Sequence, residues 1–266
     1  MRSRPFTYLF YIQYLGTGYH GWQKQTGVKT IQGTLEKAFR FILRHEDSII
    51  LGASRTDAGV SCNRGAFELF LKHEMPFDLL DAVNAILPSD IRLLEVQPAP
   101  SHFNIIQDVA YKEYHYNFAF GEKFHPFAAA NLAYFVGYPD IGLMKLGAKL
   151  FQGKHNFQSY CSIDKVSDDY FREIIEADII QHANAGLGLI PKQAYTFIVK
   201  GKGFLRYQIR KMITVLIELG LGNLSLEEIA QSLKKPELQN IPIHAPANGL
   251  VLEKVEFIKK VDSLGL

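Results

Sequence analysis

The order in which hydrophobic periodicities change along the chain constrains its fold more than any other feature. Tyr8, Phe10, Ile12 and Tyr14 alternate at period two, the spacing that puts every second side chain on one face of a strand. Ile31, Leu35, Ala38, Phe39, Ile42 and Leu43 follow at three- and four-residue steps, one face of a helix, with Thr30 placed to cap it. A strand over roughly 48 to 54, another at Phe67, Leu69 and Leu71, a helix over Leu79, Leu80, Val83, Ile86 and Leu87 capped by Asp78, and a strand from Ile91 to Val96 complete a βαββαβ order. That is the order of the split βαβ, ferredoxin-like unit. "VQPAPSHF" then breaks the pattern with prolines and a serine, which predicts a domain boundary.

The second half repeats the order. Tyr114, Tyr116, Phe118 and Phe120 alternate as a strand, Leu143, Leu146 and Leu150 suit a helix, and 173 to 181 and 193 to 200 read as strands. A long helix is predicted from about Leu205 to Gly220, with Ile209, Met212, Ile213, Leu216 and Ile217 on its apolar face. Ser225 and Glu228 have capping-box spacing for a short helix, and Leu250 to Ile258 supplies a last strand. The expected fold is α+β, with two ferredoxin-like halves, 1-106 and 107-266, whose mainly antiparallel sheets join edge to edge or flank a cleft.

Composition narrows the class. Of 266 residues, 47% are hydrophobic and 21% charged, a globular balance that argues against disorder. A net charge of +2 and a pI near 8.4 are only mildly basic, so any nucleic-acid groove must come from placement. Cys62 and Cys161 make no disulfide framework, and the histidines fall in no zinc spacing, which fits a reducing cytoplasm without a metal. "MRSRPFTYLFYIQY" lacks a small-residue cleavage site and reads as a first strand. The longest apolar stretch, Met212 to Leu221, is broken by Glu218 and too short to span a bilayer.

Several clusters carry chemistry. "GTGYHG", Gly16 to Gly21, is literally GxGxxG after a strand, but no helix opens at the third glycine and the surrounding order is not a parallel nucleotide-binding unit. The same segment interleaves Tyr19, His20, Trp22, Lys24 and Gln25, rings and cations that suit stacking on bases from a mobile loop or, equally, a packed hairpin tip. Arg55 and Asp57 lie between two predicted strands, with Arg64 nearby. Aspartate is common in turns, yet one beside arginine stays ionised and able to attack an electron-poor carbon or accept a proton from it. Arg206 and Arg210, four apart with Lys211, share one face at the predicted helix start and suit a phosphate or a carboxylate, solvated helix charges being the ordinary alternative. Tyr114 is by default a strand aromatic.

"RTDAGV", Arg55 to Val60, resembles the signature of the tRNA pseudouridine synthase A (TruA) family, and "YLGTGYHGWQKQ", "IQGTLEKAF", "NAILPSDI", "GKHNFQSY", "FLRYQIRKMI" and "APANGLVLEKVEF" are similar to further family segments in family order, from about residue 8 to 257. The resemblance implies a cofactor-free isomerase converting uridine to pseudouridine at positions 38 to 40 of the tRNA anticodon stem-loop. Asp57 would be the catalytic carboxylate, Arg55 would position and ion-pair that region, Tyr114 would stack on the target base and Arg210 would pair with the aspartate. Tyr19, His20, Trp22, Lys24, Gln25, Arg64, Lys112 and Arg206 are the expected substrate contacts. The implied protein is a cytoplasmic homodimer, with the first domain carrying the Asp57 loop and the second carrying Tyr114 and the arginine helix around a basic cleft, with tRNA as partner and no membrane.

Departures from the family pattern accompany the match. "FNIIQDV" puts Ile106 where family members commonly carry an RNA-contacting arginine, Ser61 stands where a histidine is usual, Lys112-Glu113 replace an arginine pair before Tyr114, and "LRYQIRK" replaces "VRHMVRN". They motivate two alternatives, a catalytically silent RNA-binding protein and a pseudouridine synthase with a different RNA target. A small-molecule enzyme using Asp57 as nucleophile is a third.

Overall fold

A computed structural model describes residues 5–44, 48–100, 102–162, 169–235, 241–242 and 245–258. Met1 to Arg4 of the opening stretch and Ser101 of the proline-rich break lie outside the described residues. The chain is a mixed α/β protein, and its described residues form ten strands and five α-helices. No described helix is long and apolar enough to cross a membrane. Two compact units are present: residues up to Ala110 with those from Leu252 on, and Tyr111–Val251. The closing strand, which the sequence groups with residues 107-266, thus contributes its residues from Leu252 on to the first unit.

The first unit runs β1 (Phe6–Tyr14), α1 (Ile31–Ile42), β2 (Ile49–Gly52), β3 (Ser61–Leu71), α2 (Leu79–Ile86), β4 (Ile91–Pro98). β1 lies between β4 and β3, and β2 pairs with β3, all antiparallel. The alternating residues of β1 set the register: Phe10 faces Phe67 across the β1–β3 pair, and their rings stack 5.1 Å apart with Phe39 of α1 edge-on to both. Burial of these three rings on one sheet face is what docks α1. Thr30 caps α1 as expected, its Oγ1 accepting from Gly33 N. Asp78 does not cap α2 through its side chain, because its backbone (φ −94°, ψ 8°) is not in the extended region from which a cap reaches back; its carbonyl accepts from Ala82 N instead.

The second unit contains β5 (Val109–Phe120) from Tyr111 on, β6 (Ala133–Phe135), α3 (Ile141–Lys149), β7 (Gly153–Asn156), β8 (Phe171–Gln181), β9 (Ala194–Gly201), α4 (Gln208–Gly220), α5 (Leu226–Lys234) and the start of β10 (Leu250–Phe257). β9 is antiparallel to both β5 and β8, β7 extends β8, and β6 runs parallel to β5. The short strands β6 and β7 carry too few alternating residues to read from sequence. α3 buries Met144, Gly147 and Ala148 rather than the predicted leucines, and Leu146 is exposed. A Cβ on Gly147 would lie 2.4 Å from Leu219 Cδ2, so small residues let α3 approach α4 closely. The capping box of α5 forms as its spacing predicts.

Both cysteines are free and buried, one in each unit. Cys62 Sγ sits under Gly65, and burial pushes its thiol far above the usual range. Cys161 Sγ lies 3.3 Å from Gln158 O, and burial raises it too.

Glu68 on β3 is only 3% exposed, and burial raises its carboxyl from 4.5 to about 7, against the opposing effect of a hydrogen bond from Ile105 N. The folded state therefore binds the proton more tightly than the unfolded state between those values. The contribution of this group to stability is fully present below pH 4.5 and is lost as pH rises through about 7. Glu68→Gln should remove that loss, and the difference in Tm between variant and parent, followed by thermal unfolding from pH 4.5 to 8, should grow in favour of the variant as pH rises.

Candidate active site

The Arg55–Val60 turn is the connection from β2 to β3, where the chain leaves the sheet after Ala53 N bonds Ala66 O. Gly59 is left-handed (φ 80°), and Val60 N donates to Asp57 O at 3.2 Å, closing the turn. Arg55 is exposed, Asp57 half-buried, and Thr56 between them buried. Thr56 fixes the turn twice, its Oγ1 2.8 Å from Tyr14 Oη and its carbonyl accepting from Trp22 N at 3.0 Å. Gly59 N donates to Tyr19 O, and Gly16 N donates to Ser61 Oγ, so the backbone of 16–22 holds both sides of the turn. Ser54 Oγ, beside Arg55, is buried with no hydrogen-bond partner among the described residues.

Two glycines of the "GTGYHG" motif make that contact sterically possible. A Cβ on Gly16 would stand 2.0 Å from Val60 O, and one on Gly21, which is left-handed at φ 86°, would stand 2.6 Å from Thr56 O. The motif serves close backbone approach, and α1 opens only at Ile31. Tyr19 and Trp22, expected as stacking rings on a mobile loop, are 3% and 2% exposed. Of the two readings the burial fits the packed tip: Trp22 packs on Gly52 and 6.1 Å from Phe67, and Tyr19 Oη donates to Asp90 Oδ1 at 2.6 Å. Both rings anchor the segment in the core. His20, Lys24 and Gln25 are exposed; Lys24 pairs with Glu36 of α1 at 2.5 Å, and Gln25 Nε2 donates to His20 O. Arg64 is engaged within β3's own sheet, bonded to Glu95 at 2.8 Å and 4.2 Å over the Tyr11 ring.

In the second unit, Lys112 and Tyr114 share one face of β5, opposite Gly201 and Val199 of β9. Tyr114 is buried with Phe204 edge-on at 5.3 Å. Burial lowers the Lys112 ammonium to about 8. α4 begins at Gln208, later than expected, because Tyr207 adopts a left-handed backbone (φ 63°, ψ 2°). Arg206 therefore precedes the helix and does not lie on its first turn beside Arg210. Tyr207 brings the two arginines together by another route. The Arg206 guanidinium lies 4.8 Å from its ring and donates to its hydroxyl at 3.1 Å, and the Arg210 guanidinium lies 5.6 Å from the same ring. Arg210 Nε donates to Ala245 O at 2.9 Å. Lys211, grouped with them from sequence, is buried and donates to Cys161 O at 2.8 Å, which ties α4 to the segment that follows β7, fifty residues earlier in the chain.

Tyr207 and Phe204 are the residues sequence reasoning passed over. Tyr207 between two cations was visible, but a non-glycine residue in the left-handed region leaves no mark in sequence. Chemically, the first unit offers a carboxylate on a rigid turn, and the second a clamped ring and a guanidinium with one nitrogen committed to backbone.

A family model described as tRNA pseudouridine synthase matches residues 148–258. "tRNA pseudouridine synthase A 2" of Desulfotalea psychrophila is 31% identical over 257 residues, covering 92% of this chain and 96% of its own. "tRNA pseudouridine synthase A" of Phytoplasma mali is 32% identical over 255 residues, covering 95% and 99%. A solved chain from "Crystal Structure of a Cbf5-Nop10-Gar1 Complex" shares 14% identity at a TM-score of 0.32, covering 78% of this chain and 46% of that one, a likeness too low to carry a fold argument.

Gly21→Ala should cost about 1–3 kcal/mol through overpacking against Thr56 O and through its backbone conformation. Urea unfolding should show the lower midpoint without a change in slope.

Proposed function

The chain belongs to the tRNA pseudouridine synthase A family and is an isomerase, and from that premise we propose that it converts uridine to pseudouridine in the tRNA anticodon stem-loop, with Asp57 as catalytic carboxylate. The observation that most supports this reading is the Arg55–Val60 turn, whose backbone is held from both sides so that a half-buried carboxylate keeps one position. Catalysis by a fixed charge needs that preorganisation. The net reaction breaks the bond from ribose C1′ to uracil N1, turns the ring, and joins C1′ to C5; N1 gains a proton and C5 releases one. No redox equivalent enters, so no cofactor is invoked.

In this reading each unit is a ferredoxin-like domain, the first supplying Asp57 and Arg55, the second Tyr114, Arg210 and Arg206, and a basic cleft receives the RNA. The target base must leave its stack to be turned, and Tyr114, held by Phe204, supplies a ring for it. Arg210 has Nε on Ala245 O, and its Nη edge suits a carboxylate. His20, Lys24, Gln25 and Lys112 contact RNA, while Tyr19, Trp22 and Arg64 act through the scaffold. The working form is a cytoplasmic homodimer acting at positions 38 to 40.

One observation favours the second reading, a silent RNA-binding protein. Ile106 is 57% exposed in a turn tightened by Asn104, whose Oδ1 accepts from Ile106 N and Gln107 N at 3.0 Å, so a position for an RNA-contacting arginine presents an apolar tip.

The deciding experiment uses unmodified tRNA tritiated at uracil C5. Release of tritium with pseudouridine mapped to 38–40, lost in Asp57→Asn while RNA binding persists, is the expected outcome; binding without release in the parent protein selects the silent reading. Arg210→Ala should lower turnover by about 10- to 1000-fold, the usual cost of losing one charge-stabilising donor. Tyr114→Phe should retain more activity than Tyr114→Leu, because stacking needs the ring and not the hydroxyl; equal damage would count against stacking.

A further inference from the structure

Building on the tRNA reading, we propose that the groove between residues 24–30 and α1 docks the sugar-phosphate backbone of RNA away from the target nucleotide. The groove has a volume of about 480 Å³ and is lined by Lys24, Lys29, Lys37 and Arg40 against one carboxylate, Glu36. That is a net of three positive charges in one concavity, on a chain whose total is +2. Charge concentrated this way is placed, since the composition does not demand it.

The cations are held differently. Lys24 is tied to Glu36, and Lys29 lies 4.3 Å over the Tyr19 ring, whose hydroxyl bonds Asp90. Lys37 and Arg40 are exposed, and among the described residues neither has an ion-pair partner. With Thr30 and Thr34 they form a stripe along α1 about 15 Å long, from the 1.5 Å rise per residue. A strand in a nucleic-acid helix presents a phosphate about every 3.4 Å along the axis, so the stripe spans several.

The helix N-terminus contributes no site of its own. Ile31 N and Gln32 N donate to Gly21 O and Trp22 O, Gly33 N to Thr30 Oγ1, and Thr34 N to Thr30 O. A single phosphate therefore finds no backbone cradle here, and what remains is a row of side-chain cations that reads charge density along a chain. Among the described lining residues Val28 is the one large apolar side chain and none carries a ring, so neither a stacked base nor a protein hot spot finds an anchor in them.

The test is Lys37→Ala/Arg40→Ala in the full chain. Alanine favours the helix, so α1 is kept. Affinity for unmodified tRNA is measured from about 50 to 300 mM KCl in an Asp57→Asn background. Kd should rise about tenfold at low salt, and the slope of log affinity against log salt should fall by about 1.5, since each lost phosphate contact contributes about 0.7–0.9. With Asp57 intact, the loss should appear in KM for tRNA, and Lys37→Arg/Arg40→Lys should restore it. Parental Kd and slope in the double alanine variant would overturn the proposal, as would a defect confined to kcat. A groove-dependent slope in a protein that releases no tritium would support the docking site while removing the isomerase reading.

Discussion

The backbone contact between residues 16–22 and the Thr56–Val60 turn is the constraint on which the first unit's chemistry depends. Two peptide segments approach closely enough to exchange hydrogen bonds through Trp22 N and Gly59 N, and that approach is open only where Gly16 and Gly21 carry no Cβ. Apart from a single 3-10 turn at Gly16–Gly18, neither segment belongs to a regular element, so each needs an anchor elsewhere. Trp22, buried on Gly52 and beside Phe67, and Tyr19, bonded to Asp90, supply it. The turn inherits its position from the aromatic core under α1, and Asp57 inherits its position from the turn.

The second unit orders its polar groups by a costlier route. Tyr207 accepts a left-handed backbone, which for a residue with a Cβ costs about 1–2 kcal/mol, and stands between two guanidiniums. The same kink delays α4 to Gln208, whose Oε1 takes up Leu205 N, while Lys211 reaches back to Cys161 O. Strain at one residue is offset by a hydrogen-bonded helix start, and the outcome is a first turn with Arg210 lashed to Ala245 O. Both units thus fix a charged side chain through backbone geometry, glycine permitting it in one and tyrosine enduring it in the other.

Sequence periodicity located the long elements well: α1 buries a single face through Ile31, Leu35, Ala38 and Phe39, and β1, β3, β5 and α4 carry runs of buried apolar residues long enough to read. It failed where burial depends on a partner surface. Leu146 has a helix-face spacing yet is exposed, since α3 meets α4 through Gly147 and Ala148. At the candidate site the turn itself was legible from Arg-Thr-Asp-Ala-Gly, and Lys24 and His20 are exposed as a binding segment requires. The burial of Tyr19 and Trp22 was not legible, because an aromatic in a glycine loop has the same composition whether it faces solvent or closes a core. The partner of Arg64 was not legible for a related reason: sequence proximity to Asp57 says nothing about Glu95, which is brought alongside by β1 pairing with both β3 and β4.

The two buried thiols have a use beyond packing. Cys62 belongs to the first unit and Cys161 to the second, and a thiol held protonated and shielded is inert to alkylating reagents. Each becomes reactive only when its surroundings open. The chain therefore carries a native clock in each half, and peptide-resolved alkylation kinetics can tell whether the two units breathe together or one at a time.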